Sequence, residues 1–98
     1  MAAQIKVEEL EKGDHAQFRV TVTEGRSSTQ HTVMVEQSYR DQLAGPKIST
    51  EKLVRKSFEF LLERESKESI LGSFDLQVIA RYFPEYEREM QRAFGVSK

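Results

Sequence analysis

The 98-residue sequence predicts a single α+β domain over residues 1–98, with strands first and helices after them. Two observations carry this prediction. Residues 16–36 alternate apolar and polar side chains around a polar turn that contains glycine, which is typical of a half-buried β-hairpin. Residues 50–94 repeat apolar side chains three and four positions apart, which is typical of amphipathic helices. We therefore expect a small antiparallel sheet with the helices packed on one face.

The hairpin is predicted to bury one face of each strand. Phe18, Val20 and Val22 share a face of the first strand. Val33 and Val35 extend this face on the second strand, with His31 at its edge, and residues 24–29 form the predicted turn. Residues 4–10 alternate less regularly. We expect a third strand there, because a two-stranded ribbon is marginal alone; a frayed tail or a short helix are the alternatives.

A long helix is predicted over residues 50–65. Ser49 is suited to cap its N-terminus, and Ile48 and Leu53 are spaced as a hydrophobic staple across that cap. Its apolar side chains cover an arc of about 200°, which is wider than one sheet face can bury. We therefore expect Leu53 and Phe60, on the flank of this arc, to meet either the C-terminal helices or another subunit.

Three shorter helices are predicted around this one. Residues 37–44 precede Gly45-Pro46, which is a typical helix stop. Residues 75–82 and 84–94 carry further apolar stripes, and the proline at position 84 separates them. Together these helices supply the second layer that the long helix needs.

Two adjacent segments carry a family resemblance. Residues 57–71 read SFEFLLERESKESIL, and residues 74–87 read FDLQVIARYFPEYE. This stretch resembles a family of small uncharacterised bacterial proteins. The resemblance implies a bacterial protein of this group, and it implies no activity, cofactor or catalytic residue.

The composition argues against several function classes. Fifteen basic and sixteen acidic residues give a net charge of −1 and are spread evenly, so no basic patch marks a nucleic-acid site. The chain has no cysteine, which excludes disulfides and thiolate chemistry and favours a reducing compartment. No apolar run has the length of a signal peptide or a membrane span. We expect a cytoplasmic protein with no membrane partner.

No motif predicts catalysis or cofactor binding. His15 and His31 lack a third ligand at a spacing typical of a metal site. Residues 25–29 could hold a phosphate, but they lack the pattern of a phosphate-binding loop and read better as a hairpin turn. We therefore assign no catalytic, cofactor-binding or metal-binding residue, and no small-molecule substrate is indicated.

Five residues are candidates for binding a partner. Tyrosine and arginine concentrate binding energy at interfaces, and three such residues lie around Pro84. With the two flanking residues of the long helix, the candidates are Arg81, Tyr82, Tyr86, Leu53 and Phe60. They favour a noncatalytic protein-interaction module that binds a protein partner or a second copy of itself. The competing interpretation is that Phe83 and Tyr86 fill the core while Arg81 pairs with Glu85.

The alternative function is a repressor or antitoxin of the ribbon-helix-helix type. Strand 31–36 followed by helices 37–44 and 50–65 matches that order of elements. Such proteins pair the strand with its copy in a dimer and read DNA with its exposed side chains. Here those side chains would come from His31, Thr32, Met34 and Glu36, which include no Arg or Lys. Binding of nucleic acid is therefore not the favoured prediction.

Overall fold

A β-hairpin forms the centre of the structure, a computed structural model that describes residues 3–96. Strand β2 (His15–Glu24) pairs antiparallel with β3 (Ser27–Glu36) over ten residues each. The turn between them contains two residues, fewer than the alternation predicts. Gly25 has φ of 59°, and no residue other than glycine has positive φ among those described. Positive φ at the first central position alone identifies a type II′ turn, which suits the twist of a hairpin.

One further strand lies on each side of the hairpin. Strand β1 (Gln4–Glu11) pairs antiparallel with β2, which confirms the third strand predicted over residues 4–10. Strand β4 (Ser73–Asp75) pairs parallel with β3, and the sheet order is β1-β2-β3-β4. The sheet therefore has four strands and is mixed, whereas the sequence predicts two or three antiparallel strands. Among the described residues, β1 and β4 form its two edges.

The prediction of a helix over residues 75–82 is wrong for the first residues of this range. Gly72 accepts a hydrogen bond from the Thr32 N–H at 2.8 Å, and Leu76 donates to the Met34 carbonyl at 2.9 Å. These bonds to β3 hold the segment extended as β4. Helix α3 begins only at Val78 and ends at Tyr82.

The other helices lie close to their predicted positions. They are α1 (Gln37–Ala44), α2 (Thr50–Leu62) and α4 (Tyr86–Ala93), with a 3₁₀ turn at Lys67–Ser69 between α2 and β4. The Ser49 hydroxyl accepts the Lys52 N–H at 3.2 Å, so the predicted cap of α2 is confirmed. Helix α2 ends three residues before the predicted position 65. Helix α4 begins two residues after the predicted position 84, because a turn closed by a hydrogen bond from the Tyr86 N–H to the Phe83 carbonyl precedes it.

The core lies between one face of the sheet and the helices. The buried strand residues include all those that the alternation predicts: Phe18, Val20, Val22, His31, Val33 and Val35. Ala16 of β2 and Phe74 of β4 are buried as well. They face a helical layer whose buried members include Leu53, Val54, Phe58 and Leu61 of α2. The opposite sheet face carries half-buried or exposed residues, mostly polar, such as Arg19, Thr21 and Thr32. The structure thus confirms an α+β fold with helices on one face.

Candidate functional site: an apolar groove beside α3

The flank of α2 is covered within the chain. Leu53 is fully buried and Phe60 is 5% exposed. The Phe60 ring lies 5.8 Å from the ring of Phe83 and 5.3 Å from that of Tyr86, both in edge-to-face arrangements that aromatic pairs prefer. The C-terminal segment therefore supplies the cover that the wide apolar arc requires.

Tyr86 belongs to the core. Its hydroxyl lies 2.6 Å from Ser57 Oγ, which itself donates to the Leu53 carbonyl at 2.7 Å. Because a serine hydroxyl has one hydrogen, Tyr86 is the donor to Ser57. Burial raises the pKa of the Tyr86 phenol above its ordinary value, so the hydroxyl stays protonated. This side chain joins α4 to α2 and presents nothing to a partner.

An arginine outside the predicted set fixes the corner before α4. The Arg64 guanidinium lies 3.6 Å above the Phe60 ring, and its Nε donates to the Glu85 carboxylate at 3.1 Å. The backbone N–H of Glu85 and this guanidinium lower the pKa of the Glu85 carboxyl. Glu85 thus pairs with Arg64, and the predicted pairing of Glu85 with Arg81 is not formed.

Arg81 and Tyr82 are the two predicted residues that lie at the surface. Arg81 is exposed on α3, and Tyr82 is 66% exposed. The structure thus separates the five candidates. Leu53, Phe60 and Tyr86 lie in the core, whereas Arg81 and Tyr82 are available for contact.

Tyr82 borders an apolar cavity of about 270 Å³, which we call the α3 groove. The groove lies between the C-terminal end of α2, the segment that leads into β4, and α3. The residues that line it are Leu61, Glu65, Ser69, Ile70, Leu71, Phe74, Val78, Ile79, Tyr82 and Phe83. Ile70, Phe74 and Ile79 are buried, whereas Leu71 is 47% exposed. An apolar floor thus has an exposed large side chain at Leu71 and another at Tyr82.

A buried histidine fixes one wall of the groove, the segment that ends at Leu71. Nδ1 of His31 lies 2.7 Å from the Leu71 carbonyl, and Nε2 lies 2.8 Å from the Thr29 hydroxyl. A carbonyl oxygen only accepts, so Nδ1 carries the hydrogen. The ring is 5.4 Å from that of Phe58 in the core. His31 therefore fixes the wall to the sheet, a role that its alternation in β3 did not reveal.

A salt bridge at Lys67 fixes the other end of the same segment. Lys67 is 4% exposed, and its ammonium pairs with the carboxylates of Glu24 and Glu68. The hydrogen bond that Lys67 donates to the Glu68 carboxylate raises the pKa of Lys67, so the ammonium stays charged. The segment from Lys67 to Leu71 is thus attached to the β2–β3 hairpin at two points, and we expect the groove to keep its shape without a ligand.

The chemistry of the groove is that of a contact surface. Glu65 is the one charged residue among the described residues that line it, so no basic side chain is part of the lining. The volume falls just below the roughly 300–1,000 Å³ of small-molecule sites. Large apolar side chains beside one carboxylate favour a ligand that is apolar with a basic group.

Two other features are absent from the described part of the chain. Residues 3–96 contain no group of three or more His, Asp or Glu side chains placed to hold a metal ion. Over the same range, no helix combines the length and the apolar character that crossing a bilayer requires.

Comparisons with known proteins give no family. The chain matches no protein-family model, no curated protein and no solved structure. The resemblance of residues 57–71 and 74–87 to uncharacterised bacterial proteins therefore stays a prediction.

Proposed function

We propose that this chain is a noncatalytic protein-interaction module that holds a short segment of a partner protein in the α3 groove. The observation that carries the proposal is Tyr82, which stands 66% exposed at the rim of an apolar cavity. Tyrosine is enriched among the residues that dominate binding energy, and it binds best beside an apolar pocket. Leu71 supplies the second exposed apolar contact on the same groove.

The chemistry of the groove supports a partner of a particular kind. Its volume suits one or two apolar side chains better than a cofactor or a metabolite. Glu65 attracts a Lys or Arg next to that apolar anchor, since it meets no basic side chain within the groove. We therefore name the occupant as a segment with a large apolar residue beside a basic one. The absence of cysteine from the sequence supports a place for this module in the reducing cytoplasm.

Selection from a random peptide library tests this proposal. We expect binding peptides to share an apolar anchor next to a basic residue. When a selected peptide is titrated into labelled protein, the NMR shifts of Ile70, Leu71, Ile79 and Tyr82 should move. Tyr82→Ala should weaken binding about tenfold or more. Peptides that shift a different surface, or that bind Tyr82→Ala equally well, would contradict the proposal.

A matched pair of leucine variants separates the groove from general surface stickiness. Leu71→Ser removes an apolar side chain at the groove, whereas Leu10→Ser removes one of similar exposure from β1. We expect only Leu71→Ser to weaken the peptide, and neither variant to change the melting temperature by more than a few degrees. Equal loss in both variants would show that the peptide does not depend on the groove.

The structure does not favour the ribbon-helix-helix alternative. In that fold the strand is free to pair with its copy, but here β3 is bonded to β2 on one edge and to β4 on the other over Thr32–Met34. His31, one of the proposed reading side chains, is buried and bonded to Leu71.

We expect no specific DNA binding. The net charge of −1 gives no electrostatic attraction to phosphates. A gel-shift titration with randomised duplexes at physiological salt should show nothing tighter than nonspecific contact, about 10⁻⁴–10⁻⁶ M. Nanomolar, sequence-selective binding would restore the repressor as the leading function.

A further inference from the structure

The free edge of β1 points to a second interaction surface, separate from the α3 groove. Within residues 3–96, β1 occupies one end of the sheet order and pairs with β2 on one side only. Its eight residues make a much longer edge than the three residues of β4. An unpaired edge of this length is a template for another strand.

The hairpin register shows which backbone groups of β1 are free. Glu24 and Ser27 close a two-residue turn, so they form a hydrogen-bonded pair, and such pairs alternate along an antiparallel ladder. The even-numbered residues of β2 therefore bond to β3, and the odd-numbered ones bond to β1. In β1 the residues bonded to β2 are then Gln4, Lys6 and Glu8. The residues whose backbone groups face outward are Ile5, Val7 and Glu9.

A side chain confirms this assignment independently. The Arg55 guanidinium of α2 donates to the backbone carbonyl of Ile5. If the Ile5 carbonyl were bonded to a backbone N–H of β2, it would have to accept two donors at once. The carbonyl of Ile5 therefore faces the open edge, where an arginine occupies the place of a neighbouring strand.

We propose that β1 pairs antiparallel with β1 of a second copy about a twofold axis at Val7, and that opposite charges set this register. In this arrangement Val7 faces Val7 of the second copy, and Ile5 faces Glu9. Lys6 then lies directly across from Glu8, and this pairing occurs twice. All the outward-facing backbone groups from Ile5 to Glu9 find partners.

Charge selects this register from its neighbours. A shift that centres the axis on Lys6 places the two Lys6 ammonium groups opposite each other. A shift to Glu8 or Glu9 does the same with two carboxylates. Like charges directly opposite destabilise a strand pair, whereas opposite charges stabilise it. A shift to Ile5 avoids the clash, but Glu8 and Glu9 then have no partner among the described residues, so fewer residues pair.

The inner face of the sheet also fits the pairing. Ile5 and Val7 pack against the edge of the core but stay half-buried. A second copy covers them. Arg55, released from the Ile5 carbonyl, then faces the Glu9 carboxylate of that copy. Because the contact consists mainly of one strand from each chain, we expect a small, transient interface with micromolar affinity.

Charge reversal tests the register in the full chain. Lys6→Glu places two pairs of carboxylates across the axis, and Glu8→Lys places two pairs of ammonium groups there. By analytical ultracentrifugation, each variant alone should dimerise about tenfold or more weakly than the unaltered chain. An equimolar mixture of the two variants should dimerise again, since every Lys then meets a Glu.

Two controls make the result specific. Lys12→Glu changes the net charge as much as Lys6→Glu but lies in the turn after β1, so it should leave dimerisation unchanged. Tyr82→Ala should also leave it unchanged, which separates this surface from the groove. A chain that stays monomeric up to about 0.1 mM, equal weakening by Lys12→Glu, or a mixture that stays monomeric would each overturn the proposal.

Discussion

Replacing Val20 with aspartate should unfold the protein. Val20 is fully buried in β2, at the centre of the sheet face that the helices cover. An unpaired carboxylate at such a position costs several kcal/mol, against a total stability of about 5–10 kcal/mol for a domain of this size. Circular dichroism should show no cooperative thermal transition for Val20→Asp above room temperature.

The neighbouring residue supplies the matched control. Thr21 belongs to the same strand but lies on the opposite face, with Lys6 and Gln30 as its cross-strand partners. Thr21→Asp introduces the same charge beside a lysine and should change stability by less than about 1 kcal/mol. If both variants melted alike, the assignment of the two sheet faces would be wrong.

Deleting residues 73–98 should also abolish the native fold. The deletion removes β4, α3 and α4, and with them five buried side chains: Phe74, Leu76, Ile79, Tyr86 and Met90. Phe60 and the Ser57 hydroxyl of α2 then lose their cover, and the edge of β3 loses its partner. A large exposed apolar surface drives aggregation, so the fragment 1–72 should precipitate or bind hydrophobic dyes.

The deleted segment also contains the control for this experiment. Tyr82→Ala removes a large aromatic side chain from the same region, but one that is mostly exposed. This variant should stay folded and should not bind the dye. A fragment 1–72 that is monomeric and melts cooperatively would show that the C-terminal helices are an appended unit.

Local patterning was sufficient for most of the elements. The alternation around Val20 and Val33 predicts both long strands and their buried face, because a strand with one covered face needs a period of two. Ser49 predicts the start of α2, because its hydroxyl satisfies a backbone donor of the helix's own first turn. These features depend on neighbours within a few residues of each other.

Of the residues that line the α3 groove, the sequence predicted only Tyr82 as a contact residue. Arg81, the other exposed candidate, is next to Tyr82 but does not line the groove. The other exposed wall of the groove depends on β4, whose three residues are too few to show a period. The hydrogen bonds that hold the wall in place join His31 to Leu71, forty residues away. No short-range pattern in the sequence predicts a contact between residues so far apart. The position of His31 on a buried strand face did indicate that its ring needs a hydrogen-bond partner.

By itself, the sequence determined the α+β class, the hairpin with its buried face, and the need for a second layer over α2. Each of these follows from apolar periodicity, because a strand or helix of regular geometry places such side chains on one of its faces. Only the tertiary structure decided that Leu53, Phe60 and Tyr86 fill the core while Arg81 and Tyr82 remain outside. An apolar stripe predicts that its side chains are buried, but which segment covers them depends on how distant parts of the chain pack. In this chain α4 helps to cover the apolar arc of α2, so the surfaces that we propose for partners lie elsewhere, at the α3 groove and the edge of β1.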